Sequence, residues 1–382
     1  MQNCILLPIE AESQDTALRI FSTLNDRGKP LADTDIFKAQ FYKFYSDQGL
    51  KDEFIARWKK LEALCGQIFP TQYGTPMDEL FTRYMYYERA KQGNRNTTTE
   101  ALRKFYEKNE YKLLRNNETL GRLEDLAKFW ENVATQNEDI FSERVLKQLG
   151  VLRFAPNGMW TYLLSVYYLQ NRDVNNLLDD EKLYAFLNTI TLFIWAYAIM
   201  RPGVNALRIP AYPEMIHIVE GAPVRFDNNR FDKESLLTAL NNFEFTNSRL
   251  ITKSMLAWWM YHNPKQDIIP AESNLEIEHI YSKRRQANNG GISHLDLESL
   301  GNKALLEKSI NIRASDYKFD DKEKYYRGYT TSSGKVKAGT KDAELLDMAE
   351  THTDFTQQDI LDRKKLIISS FISALDEAGL IK

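Results

Sequence analysis

Cysteine is almost missing: Cys4 and Cys65 stand alone in 382 residues, far apart and in no metal-ligand spacing. That count excludes a disulfide framework and a structural zinc site. An excess of one charge is missing too. Fifty Lys and Arg meet 53 Asp and Glu, for a formal net charge of −3. No global field therefore draws the chain to nucleic acid, and any such contact must use a local basic surface. Long hydrophobic runs are absent: the most apolar stretch, Phe186 to Met200, falls about five residues short of a bilayer span. It also contains Asn188, Thr189 and Thr191, which predicts a buried helix. No signal-peptide pattern opens the chain, so the cytoplasm is the expected location. A phosphate loop of the Gly-x-x-x-x-Gly-Lys-Ser/Thr kind is absent as well.

What remains is an aromatic-rich chain long enough for two or three domains. Aromatic residues make up 12%, mostly 20 Phe and 20 Tyr, which argues against disorder and for a large core. The expected fold is mainly α, a multi-helix body. Cys4 to Ile9 reads as a short strand, followed by a helix with Ala17, Ile20, Phe21 and Leu24 on one face and Gly28 as its C-cap. A second helix starts near Asp33 with Ile36, Phe37 and Phe41 inward. Helical patterns then cover Lys51–Cys65, Met77–Lys91, Thr99–Tyr111, Leu120–Thr135, Gly158–Gln170, Asp180–Met200, Lys233–Asn242 and Asn247–Tyr261. Ile55, Trp58, Leu61 and Leu64 form one apolar stripe, and Leu120, Leu123, Leu126, Trp130 and Val133 another. Such stripes read as bundle core rather than base-stacking platforms. Breaks fall at Arg201-Pro202-Gly203 and at Ile209-Pro210-Ala211-Tyr212-Pro213.

The pattern changes at Asn263-Pro264. Leu275 to Ile280 alternates like a strand, Gln286 to Gly291 reads as a Gly-bearing loop, and Thr330 to Thr340 as a polar, mobile one. A last helix runs from Gln357 to Ala378, with Thr356 as N-cap and Gly379 past its end. Within this region Glu278-His279 sets a carboxylate beside an imidazole at a strand end, near solvent. Adjacent strand residues point to opposite faces, so the two serve one site only where the strand stops or bends. Alone, the dipeptide is a common chance occurrence. Asn302 and Asn311, alone, read as caps or turn residues.

Together they form an ordered set: Glu278-His279-Ile280, then Leu300-Gly301-Asn302 with Leu305-Leu306, then Asn311, then Phe319 with Lys322. This set resembles the His-Me finger (HNH) nucleases, and in particular the nuclease domain of the GmrSD family of modification-dependent restriction enzymes. Its spacing is also similar to the HNH domain of RNA-guided CRISPR nucleases. Ala17 to Lys38, with Leu24-Asn25-Asp26-Arg27-Gly28, Leu31 and Asp35, resembles part of the nucleotide-dependent GmrSD domain. That family's Asp-Gly-Gln-Gln-Arg-type motif does not occur, so the chain is expected to be a fragment without the nucleotide-hydrolysing half. The resemblance implies residues 1–46 as the end of that N-terminal domain, 47–262 as a helical domain and 263–382 as a small ββα nuclease domain.

The implied activity is metal-dependent hydrolysis of double-stranded DNA, modified or unmodified, in restriction or phage defence. Its implied cofactor is Mg²⁺ or Mn²⁺, held by the oxygens of Glu278 and Asn311. His279 would take the water's proton, and Asn302 would hold the loop and orient the imidazole. Lys303, Arg313, Lys318 and Lys322 become candidate phosphate contacts, with Lys308 and Lys283-Arg284-Arg285 beside them. Yet Leu275 to Thr330 carries ten Lys and Arg against nine Asp and Glu, so most of these charges should be solvated surface. Two positions depart from the resembled pattern: Ser282 replaces a proline, which predicts a looser loop, and Lys303 stands where an apolar residue is usual. The competing reading is a non-catalytic helical module with a decayed nuclease site.

Overall fold

The computed structural model describes residue 16 and residues 32–69, 74–201, 204–289 and 291–382. The strand read at Cys4 to Ile9 and the helix read at Ala17 to Gly28 lie outside the described residues. Among the described residues the fold is mainly α-helical, with two small two-stranded sheets near the C-terminus. Two compact units emerge, Met1–Glu88 with Thr98–Glu131, and Arg89–Thr97 with Asn132–Lys382.

In the first unit an aromatic cluster forms the core. Phe37 packs 5.0 Å from Phe81 and 4.8 Å from Tyr106, centroid to centroid, and the Tyr106 hydroxyl donates to the Phe81 carbonyl at 2.8 Å. Trp58, Leu61, Leu120, Leu123, Leu126 and Trp130 are buried as their spacing predicts. Ile55 is not: it is exposed, and Phe54 one position earlier takes the inward place.

In the second unit the Asp180–Met200 helix is the central strut. It is long and apolar enough to cross a membrane, but 67% of its most apolar window is buried within the protein. Thr191, odd in so apolar a helix, accepts a bond from Gln148 Nε2 at 2.8 Å and donates to the Leu187 carbonyl at 2.7 Å. Arg208–Val219 is helical where a break was expected. Pro210 falls in the first turn, where an amide needs no partner, and the buried residues Tyr212, Met215, Ile216 and Ile218 hold the helix past Pro213.

The C-terminal part is built around strand β1 (Leu275–His279), antiparallel to β2 (Lys303–Glu307). Short helices Lys283–Asn289 and His294–Leu297 lie between the strands, so part of the stretch read as a loop at Gln286 to Gly291 is helical. Helices Lys308–Ala314 and Phe319–Arg327 follow. Thr330 to Thr340, expected as a mobile loop, instead closes a second hairpin, β3 (Gly328–Thr330) with β4 (Val336–Ala338). The last helix, Gln357–Glu377, opens on a capping box at Thr356 and Asp359 and is followed by Gly379 at φ +69°.

Candidate active site

Register decides the two faces of the β1–β2 hairpin. His279 stands opposite Lys303 and Glu278 opposite Ala304, and directly paired residues share a face. Ala304 and Leu306 face a core that includes Ile310, Phe319 and Tyr326, so Glu278 and Glu276 point that way. His279, Ile277, Lys303 and Leu305 take the other face.

On the first face Glu278 is buried, at 4% exposure, and is not free. Its Oε1 accepts from Lys322 Nζ at 2.6 Å and from the Tyr326 hydroxyl at 2.8 Å. Burial pushes its carboxyl up, against the opposing pull of Lys322 and Tyr326. The same ammonium bonds the His279 carbonyl at 2.6 Å. Asn311 donates to Glu276 Oε2 at 3.1 Å, and Lys308 lies 3.4 Å from Glu276 Oε1.

On the second face the His279 imidazole is buried, at 7% exposure, rather than near solvent. Its Nε2 lies 3.3 Å from Glu298 Oε1. Glu298 Oε2 accepts from Lys303 Nζ at 2.6 Å, and Lys283 Nζ stands 3.6 Å from Oε1. Burial, joined by the charges of Lys303 and Lys283, outweighs Glu298 and pushes the imidazole down to about 3, so the ring is neutral at neutral pH. Burial pulls Glu298 up, but the bond and charge of Lys303, with His279 and Lys283, hold its carboxyl below the usual range.

Asn302 is fully buried and works on the backbone. Its Oδ1 accepts from Tyr281 N at 2.7 Å, its Nδ2 donates to the carbonyls of Tyr281 and Leu297 at 3.1 Å each, and its own carbonyl accepts from Ile280 N at 2.9 Å. It clasps the chain leaving His279, while the residue on the imidazole is Glu298. Ser282 is buried and its Oγ accepts from Arg285 N at 3.1 Å, so it N-caps the Lys283–Asn289 helix and stiffens the loop in which proline was expected. Arg363 ties the turn to the last helix, donating to the carbonyls of Leu300 at 2.9 Å, Gly301 at 3.1 Å and Lys303 at 2.7 Å. Glu344 holds the other edge of that guanidinium at 2.7–2.8 Å.

Several expectations are corrected. Lys303 and Lys322 are 0% and 1% exposed, with their ammonium groups spent on internal acceptors, so neither offers a surface contact to phosphate. Arg313 is half-buried and donates to the Ala338 carbonyl at 3.2 Å. Lys318 is exposed, as are Lys283 and Arg284, whereas Arg285 is bound to both oxygens of Asp354 at 2.5 and 2.7 Å. The pleat separates His279 from Glu276 and Glu278, so the imidazole lies with Glu298 on one face of β1 while Asn311, on the Lys308–Ala314 helix, bonds Glu276 on the other. Glu298, Glu276 and Arg363 are site residues that the motif reading passed over. The nearest signal for Glu298 was the anomalous Lys303, whose buried charge demands a carboxylate partner.

The donors fit a hard divalent cation in kind: Glu276, the second oxygen of Glu278 and the Asn311 amide oxygen belong to one face. Lys322 already neutralises part of that set. Among the described residues, no group of three or more His, Cys, Asp and Glu is arranged to hold a metal ion.

A mainly helical chain whose C-terminal part centres on a buried hairpin, with an imidazole and a carboxylate at the strand end, has a family counterpart. Residues 231–369 match the C-terminal domain of the GmrSD restriction endonucleases. The match covers the C-terminal part of the chain, which is similar to that domain. No curated protein matches the chain.

Proposed function

We propose that this domain hydrolyses phosphodiester bonds in double-stranded DNA as a divalent-metal-dependent endonuclease of the His-Me finger kind, within a restriction or phage-defence system. The division into residues 1–46, 47–262 and 263–382 and a cytoplasmic location belong to the same proposal. One observation carries the reading: the restriction-endonuclease match encloses a strand end where a neutral imidazole adjoins an oxygen-rich carboxylate face. A neutral histidine can accept a proton from water, and a nearby phosphate charge would raise its affinity for that proton. Glu278 and Asn311, joined by Glu276, would hold Mg²⁺ or Mn²⁺, which when bound stabilises negative charge on phosphate. Asn302 and Arg363 fix the turn on which His279 depends. Lys318, Lys283, Arg284 and Lys308 are exposed basic groups that would meet the DNA backbone.

The test is nicking of plasmid DNA by the purified chain. Cleavage with Mg²⁺ or Mn²⁺ that stops with EDTA, and that falls by about 10²–10⁴-fold in His279→Gln, supports the reading. A preparation that is folded but inert with both metals overturns it. The second reading, a helical binding module with a decayed site, draws on the ammonium of Lys322 seated on Glu278 and on the opposite facing of His279 and Asn311.

A further inference from the structure

We propose that Glu298 is a positioning residue that sets which ring nitrogen of His279 is free to take a proton, with Lys303 as the brace that holds it. The proposal rests on the reading of His279 as the proton acceptor, and it names a residue that the motif does not contain.

An ionised carboxylate only accepts hydrogen bonds. With Glu298 Oε1 at 3.3 Å from Nε2, a neutral ring meets it favourably in one tautomer, with the proton on Nε2 and the lone pair on Nδ1. The tautomer is thus decided by what keeps Glu298 ionised and still, although its side chain is only 6% exposed. Lys303 does both. It stands directly across the hairpin from His279, and its Nζ donates to Glu298 Oε2 at 2.6 Å, the Phe245 carbonyl at 2.5 Å and Asn247 Oδ1 at 2.8 Å. Those three bonds use all its protons. The Glu298 backbone is pinned as well, its N–H to the His294 carbonyl at 3.0 Å and its own carbonyl to Phe245 N at 2.9 Å. A lysine where the related pattern is apolar would be a buried, unpaired charge unless a carboxylate came with it. Lys303 and Glu298 therefore act as a unit, and His279 is the third member.

Substitution by glutamine separates charge from shape. In Glu298→Gln the carboxamide oxygen turns to the Lys303 ammonium, because the amide NH₂ cannot accept the N–H that Glu298 Oε2 accepts. The NH₂ is then left toward the ring, which must present a lone pair at Nε2 and carry its proton on Nδ1. Removing the lysine in Lys303→Met/Glu298→Gln frees the amide oxygen to turn back to Nε2–H. Glu298→Asp keeps the charge and should keep the tautomer.

The experiment uses the full chain with ¹⁵N-labelled histidine rings, the His279 signals being identified by their loss in His279→Gln. Long-range ¹H–¹⁵N correlation spectra at neutral pH should show the Nε2–H form in the wild type and in Glu298→Asp. The Nδ1–H form should appear in Glu298→Gln, and the Nε2–H form should return in the double variant. DNA cleavage should fall on the order of 10²-fold in Glu298→Gln and recover in step with the tautomer. A wild-type ring in the Nδ1–H form, or one unmoved by Glu298→Gln, overturns the proposal. A wild type that cuts DNA while Glu298→Gln cuts equally well with an unchanged tautomer defeats the positioning role and spares the nuclease reading. A tautomer that responds as expected in a chain inert with Mg²⁺ and Mn²⁺ supports the positioning role and defeats the nuclease reading.

Discussion

Replacing Gly301 with alanine tests how the site is held together. A Cβ on Gly301 would stand 2.0 Å from the Ile360 carbonyl oxygen, 2.9 Å from the Lys364 amide nitrogen and 3.0 Å from the Ile360 carbonyl carbon. All three are backbone atoms of the Gln357–Glu377 helix, so no side chain can swing aside to make room. Ordinary contact begins at 3.4 Å, and the helix must retreat from the turn by roughly 1.4 Å to restore it. Arg363, on that helix, bonds the carbonyls of Leu300, Gly301 and Lys303 at 2.7–3.1 Å, and such bonds do not survive a shift of that size. Overpacking costs about 1–3 kcal/mol, and each charged hydrogen bond lost adds about 1.5–3 kcal/mol. The expected destabilisation is therefore at least ~3 kcal/mol, a large share of a typical domain's stability. The same substitution at Gly121, within the Asn117–Ala134 helix and with nothing inside 4 Å, should stabilise by about 0.5–1 kcal/mol. Denaturant midpoints by circular dichroism give the two signs, and hydrogen exchange at the Ile280 amide, bonded to the Asn302 carbonyl, localises the first. A Gly301→Ala protein with a wild-type midpoint and undiminished Ile280 protection would refute the reasoning.

Lys322→Met strips the ammonium from buried Glu278 and should cost on the order of 3–5 kcal/mol, read as a drop in melting temperature. If Glu278 is a metal ligand, added Mn²⁺ should restore more of that loss than it adds to the wild type. Asn311→Ala should lose DNA cleavage with Mg²⁺ and regain part of it with Mn²⁺, measured by plasmid nicking; equal loss with both metals would remove Asn311 from the ligand set. Burial, aided by Glu344, pushes Asp342 up to about 7, above its unfolded value of about 3.9. Its folded form therefore binds more protons between those values, and stability is present at low pH and lost as pH rises from about 4 to about 7. Asp342→Asn keeps the cap on Leu345 N and should erase that loss, worth at most ~4 kcal/mol, in denaturant titrations across pH.

The aromatic stripes and helix punctuation made the helical body legible before any coordinates. Asp180–Met200 and Lys233–Asn242 run between the residues their apolar spacing marks. Thr356 and Gly379 end the last helix as a side-chain acceptor and a left-handed residue must. Such features are local: periodicity and caps depend on residues within one or two turns. Glu143–Leu152 is not marked by the sequence pattern although Ser142 caps it, because it spans only ten residues and its apolar pattern is short. The helix through Pro210 and Pro213 was misread as a break because burial of its apolar face, a tertiary effect, outweighs the proline penalty.

In the site, the sequence by itself determined the order of Glu278, His279, Asn302 and Asn311 and the strand on which the first two alternate. It could not determine partners. A lysine reads the same whether water or a carboxylate surrounds it, and the groups that bury Lys322 and Lys303 lie as far as 44 and 58 residues away in the chain. Gly301 shows the same limit: no local rule demands glycine there, and its reason is the backbone of a helix some sixty residues on that passes too close for a Cβ. Hydrophobic period and capping chemistry act along the chain and can be read from it. The pairing of buried charges, the faces of the hairpin and the choice of Glu298 for the imidazole depend on which distant segments fold against each other, and those the tertiary structure alone decided.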